Sequence, residues 1–442
     1  MRKASILALS LALLMVFSAV SMASTLEEWG AEVKAKLGGT EITVAMATHP
    51  STDAFRAMVA EFEQLTGITV RWDIMEELYL HDKILTEHAA ATGRYDVVMM
   101  DVVWIGEFAN RKVVLPLDEY IANTPDWFNF EDIVEAYRAG LGMYNGQVYG
   151  IPSAGESAFV AYRVDLFEKY GYDPNSIQTL DDLLAAAEFF HGKEEGLSGI
   201  SMRGRRGHHI VYGWFQALYP MGGNVFHPGT FDVAVNTPET IASLQYFVDL
   251  MKYAPMGIEN FSHEEATTTF MQGHAALWFD ATALAPWIED ASKSAVAGKV
   301  GYLPPPTGPA GAAGAVAGWN LAISTNSKNK DAAWAFIAFM TSEAKAEEYV
   351  RNGGVVTRKS VLTNPEFVAE YHYYPQILES LERAQILVEK GIDWRPRIPE
   401  WPRIGEALGL NASLALTGQL TPEQAMERAE REVESIMRMA GY

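Results

Sequence analysis

Apolar residues recur along this chain with two different periods, and the two periods take turns. Ile42, Val44 and Met46 fall at every second position, the spacing of a strand with one face on a core. His49-Pro50-Ser51 interrupts it. Phe55, Met58, Val59, Phe62 and Leu65 then fall at helical spacing, and Gly67 predicts the helix stop. A second strand is predicted over Ile68–Trp72, a second helix over Leu78–Thr92 closed by Gly93, and an apolar third strand over Tyr95–Met100. Strand–helix alternation of this kind predicts an α/β fold, with a parallel sheet covered by helices.

The pattern returns further on. Ala158–Tyr162 and Ala275–Phe279 read as strands. Leu180–Phe190, Pro238–Tyr253 and Asp331–Thr341 read as helices, as does the last stretch, Thr421–Met439, with Thr421 as N-cap and Pro422 at the first helical position. Pro304-Pro305-Pro306 leads into the Gly/Ala stretch Gly311–Gly318, which suits either a hinge or an ordinary surface loop. Trp394–Pro402 is too rich in proline for a helix and carries two Trp and two Arg. A chain of 442 residues exceeds one ordinary core and favours two domains.

The start of the chain follows a different rule. Arg2 and Lys3 precede an apolar run from Ile6 to Val20, and Ser21-Met22-Ala23 offers small residues at a cleavage site. This is the layout of a signal peptide, expected over residues 1–23 with cleavage near Ala23. The competing reading, a retained membrane anchor, suffers because the run is shorter than the roughly 20 residues a spanning helix needs. The formal net charge of −22 repels nucleic acid and anionic lipid. The absence of cysteine excludes disulfides, a thiolate nucleophile and a lipid anchor on an N-terminal cysteine.

Several segments resemble family 1 extracellular solute-binding proteins, the maltose-binding-protein-like group. They are Phe62-Glu63-Gln64-Leu65-Thr66-Gly67-Ile68-Thr69-Val70, Asp96–Asp101, Tyr149-Gly150-Ile151-Pro152 followed by Ala161-Tyr162-Arg163, Gly273–Phe279, Asn329–Trp334 and Gly353-Gly354-Val355. Ser201–Gly207 and Arg395–Trp401 are similar to the polyol (mannitol/sorbitol) branch of that family. The resemblance implies a type II periplasmic binding protein fold, with two lobes joined by hinge crossovers and a ligand cleft between them. Lobe one would comprise residues 40–154 and 320–356, and lobe two residues 157–316 and 357–442. It implies a periplasmic, monomeric protein that hands a sugar or sugar alcohol to the membrane permease of an ABC transporter, with no cofactor.

Ligands of open α/β sheets sit beyond the carboxyl ends of strands. That rule selects Thr48 and His49 after strand one, Glu77 (with Glu76 its neighbour) after strand two, and Asp101 and Trp104 after strand three. It also selects Asp280 after Ala275–Phe279, with Trp278 expected on the opposite face of that strand. Trp319 and Asn320 follow the glycine-rich loop, and Glu156 lies at the other predicted crossover. Carboxylates suit a ligand made of hydroxyls, because each accepts two directed hydrogen bonds, and tryptophan offers a flat face to C–H groups. If the polyol likeness holds, Arg206 and Arg397 would donate to hydroxyls. Each has a duller reading as a cap, core or solvated side chain.

Other functions have weaker support. There is no nucleotide fingerprint and no phosphate loop, and Gly155-Glu156-Ser157 is not a nucleophile elbow. His208-His209 is the one adjacent histidine pair, and neighbours in a helix or strand are expected to point apart, so no metal is expected there. An exported glycosidase stays open because its carboxylates pair in space rather than in sequence. A binding protein for a cationic solute such as a polyamine or amino sugar also stays open.

Overall fold

The computed structural model describes residues 25–442. The expected signal peptide and its cleavage site lie outside the described residues. Among the described residues no helix is long and apolar enough to cross a membrane.

Two mixed sheets form the framework. The first uses β1 (Glu41–Ala47), β2 (Thr69–Met75), β3 (Val97–Asp101), β4 (Ile151–Glu156) and, much later, a strand at Ala317–Ile323. The second uses β5 (Ala158–Arg163), β6 (Ser198–Ser201), β7 (Ala275–Ala281) and β8 (Val300–Leu303), so the late strand of the first sheet is β9. Strand order is β2-β1-β3-β9-β4 in the first sheet and β8-β5-β7-β6 in the second. β1 is parallel to β2 and β3, whereas β9 runs antiparallel to both β3 and β4. The carboxyl ends of β1 to β4 therefore share one edge with the amino end of β9. In the second sheet the carboxyl ends of β6 and β7 share an edge with the amino end of β5.

The longer helices are α1 (Leu26–Leu37), α2 (Pro50–Thr66), α3 (Glu77–Ala89), α4 (Leu180–Phe190), α5 (His208–Leu218), α6 (Pro238–Met251), α7 (His263–Met271), α8 (Lys330–Thr341), α9 (Tyr374–Glu389), α10 (Trp401–Leu416) and α11 (Pro422–Ala440). Of these, α2, α3, α4, α6, α8 and α11 are the ones the sequence predicts. Gly67 ends α2 in the left-handed conformation (φ 67°), and Thr421 caps α11 with Gln424 in a capping box. β1 and β3 are buried on nearly every residue, as expected for strands with helices on both faces. The predicted strand at Ile68–Trp72 extends to Met75, and the predicted third strand ends on Asp101.

Three elements had no clear periodic signal. β9 reads Ala-Gly-Trp-Asn-Leu-Ala-Ile and is buried at every position, so no polar alternation marks it. α5 is also buried along almost its whole length. α10 carries two glycines, and a Cβ at Gly409 would stand 2.4 Å from the Gly207 carbonyl oxygen. The glycine there lets α10 press directly on the turn that starts α5.

The sheets meet at a very short crossover. β4 ends at Glu156 and β5 begins at Ala158, leaving Ser157 alone between them. Its N–H donates to the Thr282 hydroxyl, and its carbonyl accepts from the Thr282 N–H. The return crossover lies beside it, because Ala317 pairs with Glu156 and Gly318 with Gly155. Gly318 has φ 144°, and a Cβ on it would stand 2.1 Å from the Ala154 carbonyl oxygen. Gly318→Ala is expected to destabilise the protein by more than about 1 kcal/mol, read as a lower urea midpoint at an unchanged slope.

Candidate functional site

The two sheet edges face each other across a buried polar cavity lined by His49, Glu77, Asp101, Glu156 and Trp319 from the first sheet. Arg203, Tyr212, His263, Ala281, Ala283, Leu284 and Arg395 complete the wall. Its volume is about 20 Å³, the space of about one water molecule. In this conformation the lobes are closed on one another.

Local structure aims each side chain. His49 is the N-cap of α2, and its Nδ1 accepts from the Ser51 N–H. That bond turns Nε2 toward the Glu156 carboxylate, 3.3 Å away. Glu76 caps α3 by accepting from Leu78 N–H, and Glu77 is its first helical residue. Asp101 both caps and lines: its Oδ1 accepts from the Val103 N–H at 2.9 Å and stands 3.6 Å from an Arg395 nitrogen. Trp319 is the cross-strand partner of Asp101, so both project to the same face. Trp319 packs on the His49 ring and meets Trp104 edge-on at 5.4 Å. Trp104 in turn packs on His81, which is tied to Glu107 at 2.9 Å.

Asp280 forms the other wall. Arg203 donates three hydrogen bonds to its carboxylate, at 2.6 to 2.9 Å, and lies 4.0 Å over the Tyr212 ring. Burial opposes the charge on Arg203, and the Asp280 carboxylate overrides it, holding the guanidinium above the ordinary arginine range. Arg395 lies 5.7 Å from the Tyr212 ring centroid.

Electrostatics separates two of the three cavity carboxylates of the first sheet. Burial raises the Asp101 carboxyl to about 6, against the pull of Arg395. Burial acts upward on Glu77 too, but attraction to His208 overrides it and holds Glu77 well below the usual carboxylate range. Burial keeps the His209 and His263 imidazoles far below the ordinary histidine range, so both are neutral at pH 7.

Of the residues selected from sequence, His49, Glu77, Asp101, Glu156 and Trp319 come together around this cavity. Asp280 stands directly behind Arg203, and Trp104 behind Trp319. The others lie elsewhere. Thr48 is exposed. Asn320, next to Trp319 across a bulge, donates to the Leu141 carbonyl. Trp278 is fully buried among Phe159 and Phe270. It shares a face with Asp280 rather than opposing it, because β7 runs on through Asp280 to Ala281. Arg206 is exposed and paired with Glu406. Arg397 donates to the carbonyls of Ala139 and Gly140. It lines a separate cavity of about 540 Å³ that shares Arg395 with the first.

Sequence reasoning missed Arg203, Tyr212, His263 and Arg395. Two of them stand in segments already singled out, three residues before Arg206 and two before Arg397. Strand parity could have found Arg203, two positions past the end of β6.

Residues 48–347 match the bacterial extracellular solute-binding protein family, and this chain belongs to it. Among its relatives is the mannitol-binding protein of Pseudomonas aeruginosa, 27% identical over 425 residues that span 92% of this chain and 95% of that one. Two solved structures of ABC transporter solute-binding proteins superpose well. One, from Agrobacterium radiobacter K84, is in complex with ribitol (TM-score 0.83, 28% identity, 90% of this chain and 99% of that one). The other, from Agrobacterium vitis S4, holds D-mannitol (TM-score 0.82, 29% identity, 91% and 100%). The family and the two-lobed fold expected from the sequence motifs are thereby borne out, and these relatives fit the polyol branch.

The raised Asp101 gives a signed pH dependence. A carboxyl near 3.8 unfolded and near 6 folded binds more protons in the folded state, so its ionisation lowers stability as pH rises between those values. Asp101→Asn removes the titration. In ligand-free protein it is expected to match the parent melting temperature near pH 4 and exceed it above pH 6, read by melting curves at stepped pH.

Proposed function

We propose that this protein captures a sugar alcohol or a monosaccharide between its lobes and delivers it to the permease of an ABC importer. The observation that carries this reading is the buried polar ring contributed by both sheets, with carboxylates facing guanidinium groups and Trp319 as an apolar face. A polyol offers each hydroxyl as donor and acceptor, and this ring holds both kinds of partner. The relatives that bind mannitol and ribitol support the same class of ligand. In the proposed site His49, Glu77, Asp101, Glu156, Arg203 and Arg395 bond hydroxyls, while Asp280 and Trp104 hold Arg203 and Trp319 in place.

The closed cavity is far smaller than a hexitol, so entry requires the lobes to part about the crossovers at Ser157 and Ala317. The lobes are inferred at residues 40–154 with 320–356, and 157–316 with 357–442. Delivery outside the cytoplasm implies cleavage near Ala23 and a periplasmic, monomeric protein. A cationic solute fits less well, because the acidic groups are already matched: Asp280 by Arg203, Asp101 by Arg395, Glu77 by His208. The protein is proposed to bind its ligand without turnover.

Melting curves against hexitols, pentitols, aldoses, disaccharides and polyamines test the reading. A specific polyol at 100 times its Kd is expected to stabilise by about 2.7 kcal/mol, with little change between low and high salt. A response to polyamines alone, or hydrolysis of nitrophenyl glycosides, would sink it. Arg395→Met is expected to weaken polyol binding by about 1.5–3 kcal/mol, measured by calorimetry, because it strips a charged donor and leaves Asp101 buried without its partner.

A further inference from the structure

Behind Glu77 three imidazoles converge, and of these His263 reaches the cavity wall. His208 and His209 open α5, and His263 opens α7. Nε2 of His208 stands 2.9 Å from Glu77 Oε1, and Nδ1 of His263 stands 3.9 Å from Oε2. One ligand atom each from Glu77, His208 and His209 fall within 4.8 Å of one another. The expectation that adjacent histidines point apart fails here: the two ring centroids are 4.2 Å apart and the planes 36° from parallel. The pair occupies the first turn of its helix, where no preceding turn restricts the side-chain rotamers.

Among these nitrogens, those of His209 and one of His263 are unsatisfied. Both ring nitrogens of His209 lack a hydrogen-bond partner although the residue is 0% exposed, and so does Nε2 of His263. His208 Nε2 has the Glu77 carboxylate as its neighbour at 2.9 Å. Buried polar atoms left unpaired call for a partner. The polyol is not the partner of His208 and His209, because neither lines the cavity.

We propose that Glu77, His208 and His209, with His263 beside them as a fourth donor, form a binding site for a divalent cation of the zinc class that ties the two lobes together. Imidazole nitrogen with one carboxylate suits zinc and its neighbours, whereas calcium and magnesium require mostly oxygen donors. Donors around a tetrahedral zinc lie roughly 3.3 Å apart, so the observed cluster needs only small side-chain rotations to close on an ion. Arg203 and Arg205 oppose a cation here, while Glu76 and Glu264 favour it. Glu77 comes from the first lobe and the histidines from the second, so the ion favours the closed form. Glu77 also reaches the cavity, which couples the ion to the solute.

The test uses untagged protein stripped with chelator and dialysed against zinc chloride, with metal content and melting temperature as readouts. One zinc per chain is expected, with a higher melting temperature and no such effect from magnesium. His208→Gln and His209→Gln are each expected to weaken zinc binding at least about tenfold, while His372→Gln, at an exposed histidine elsewhere, leaves it unchanged. Circular dichroism shows whether each variant folds. Should His209→Gln not fold, the partly exposed His208 carries the test. No retained zinc in the parent, or equal retention in His208→Gln, overturns the proposal.

Discussion

Everything about this site depends on the pairing of β4 with β9. Ala317 lies against Glu156, and Ser157 is the whole link between β4 and β5. That pairing brings both crossovers to one place and turns the edges of the two sheets toward each other. The polar side chains at those edges then become one ring without belonging to one segment. The close fit of Gly318 against Ala154 is part of the same constraint. With no Cβ to hold them apart, the strands approach closely at the point where the chain crosses between the sheets.

The ring itself is balanced rather than acidic. A net charge of −22 invites the expectation of a cation-seeking surface. Yet the carboxylates of Glu77, Asp101, Glu156 and Asp280 each have a nitrogen partner, and the Arg203–Asp280 pair is buried and bidentate. Such a pair costs desolvation and is retained where geometry matters more than stability. Here it fixes the guanidinium as a donor aimed into the cleft. Asp101, held near 6 by burial, is the group whose charge is least comfortable, and a hydroxyl donor would ease it.

The fold was largely legible because its strands and helices differ so plainly in period. Rules about strand ends also found His49, Glu77 and Asp101, since each follows or ends a parallel strand, and the predicted crossover found Glu156. The rules failed where the structure does not reach the site through a strand end. His263 begins a helix, Tyr212 lies inside one, and Arg395 stands in an irregular loop. Arg206 and Arg397 were selected over Arg203 and Arg395 because composition marks a basic segment but not which member turns inward. That choice depends on Asp280 and Asp101, which are distant in sequence. Wholly buried elements such as β9 and α5 were hidden for a related reason, since burial on all sides erases the alternation that would announce them.

The late arrival of β9 has a consequence for how the chain is made. Residues 317–323 fill the place between β3 and β4, so the edge strand β4 has no partner in that sheet until most of the polypeptide has left the ribosome. At about 5–20 residues per second the wait from β4 to β9 is roughly 8–33 s. During that time the amino-terminal third can be held open by chaperones but cannot lock. A protein of an extracellular family must be threaded across a membrane before it folds, and a sheet completed by its last strand is a built-in delay.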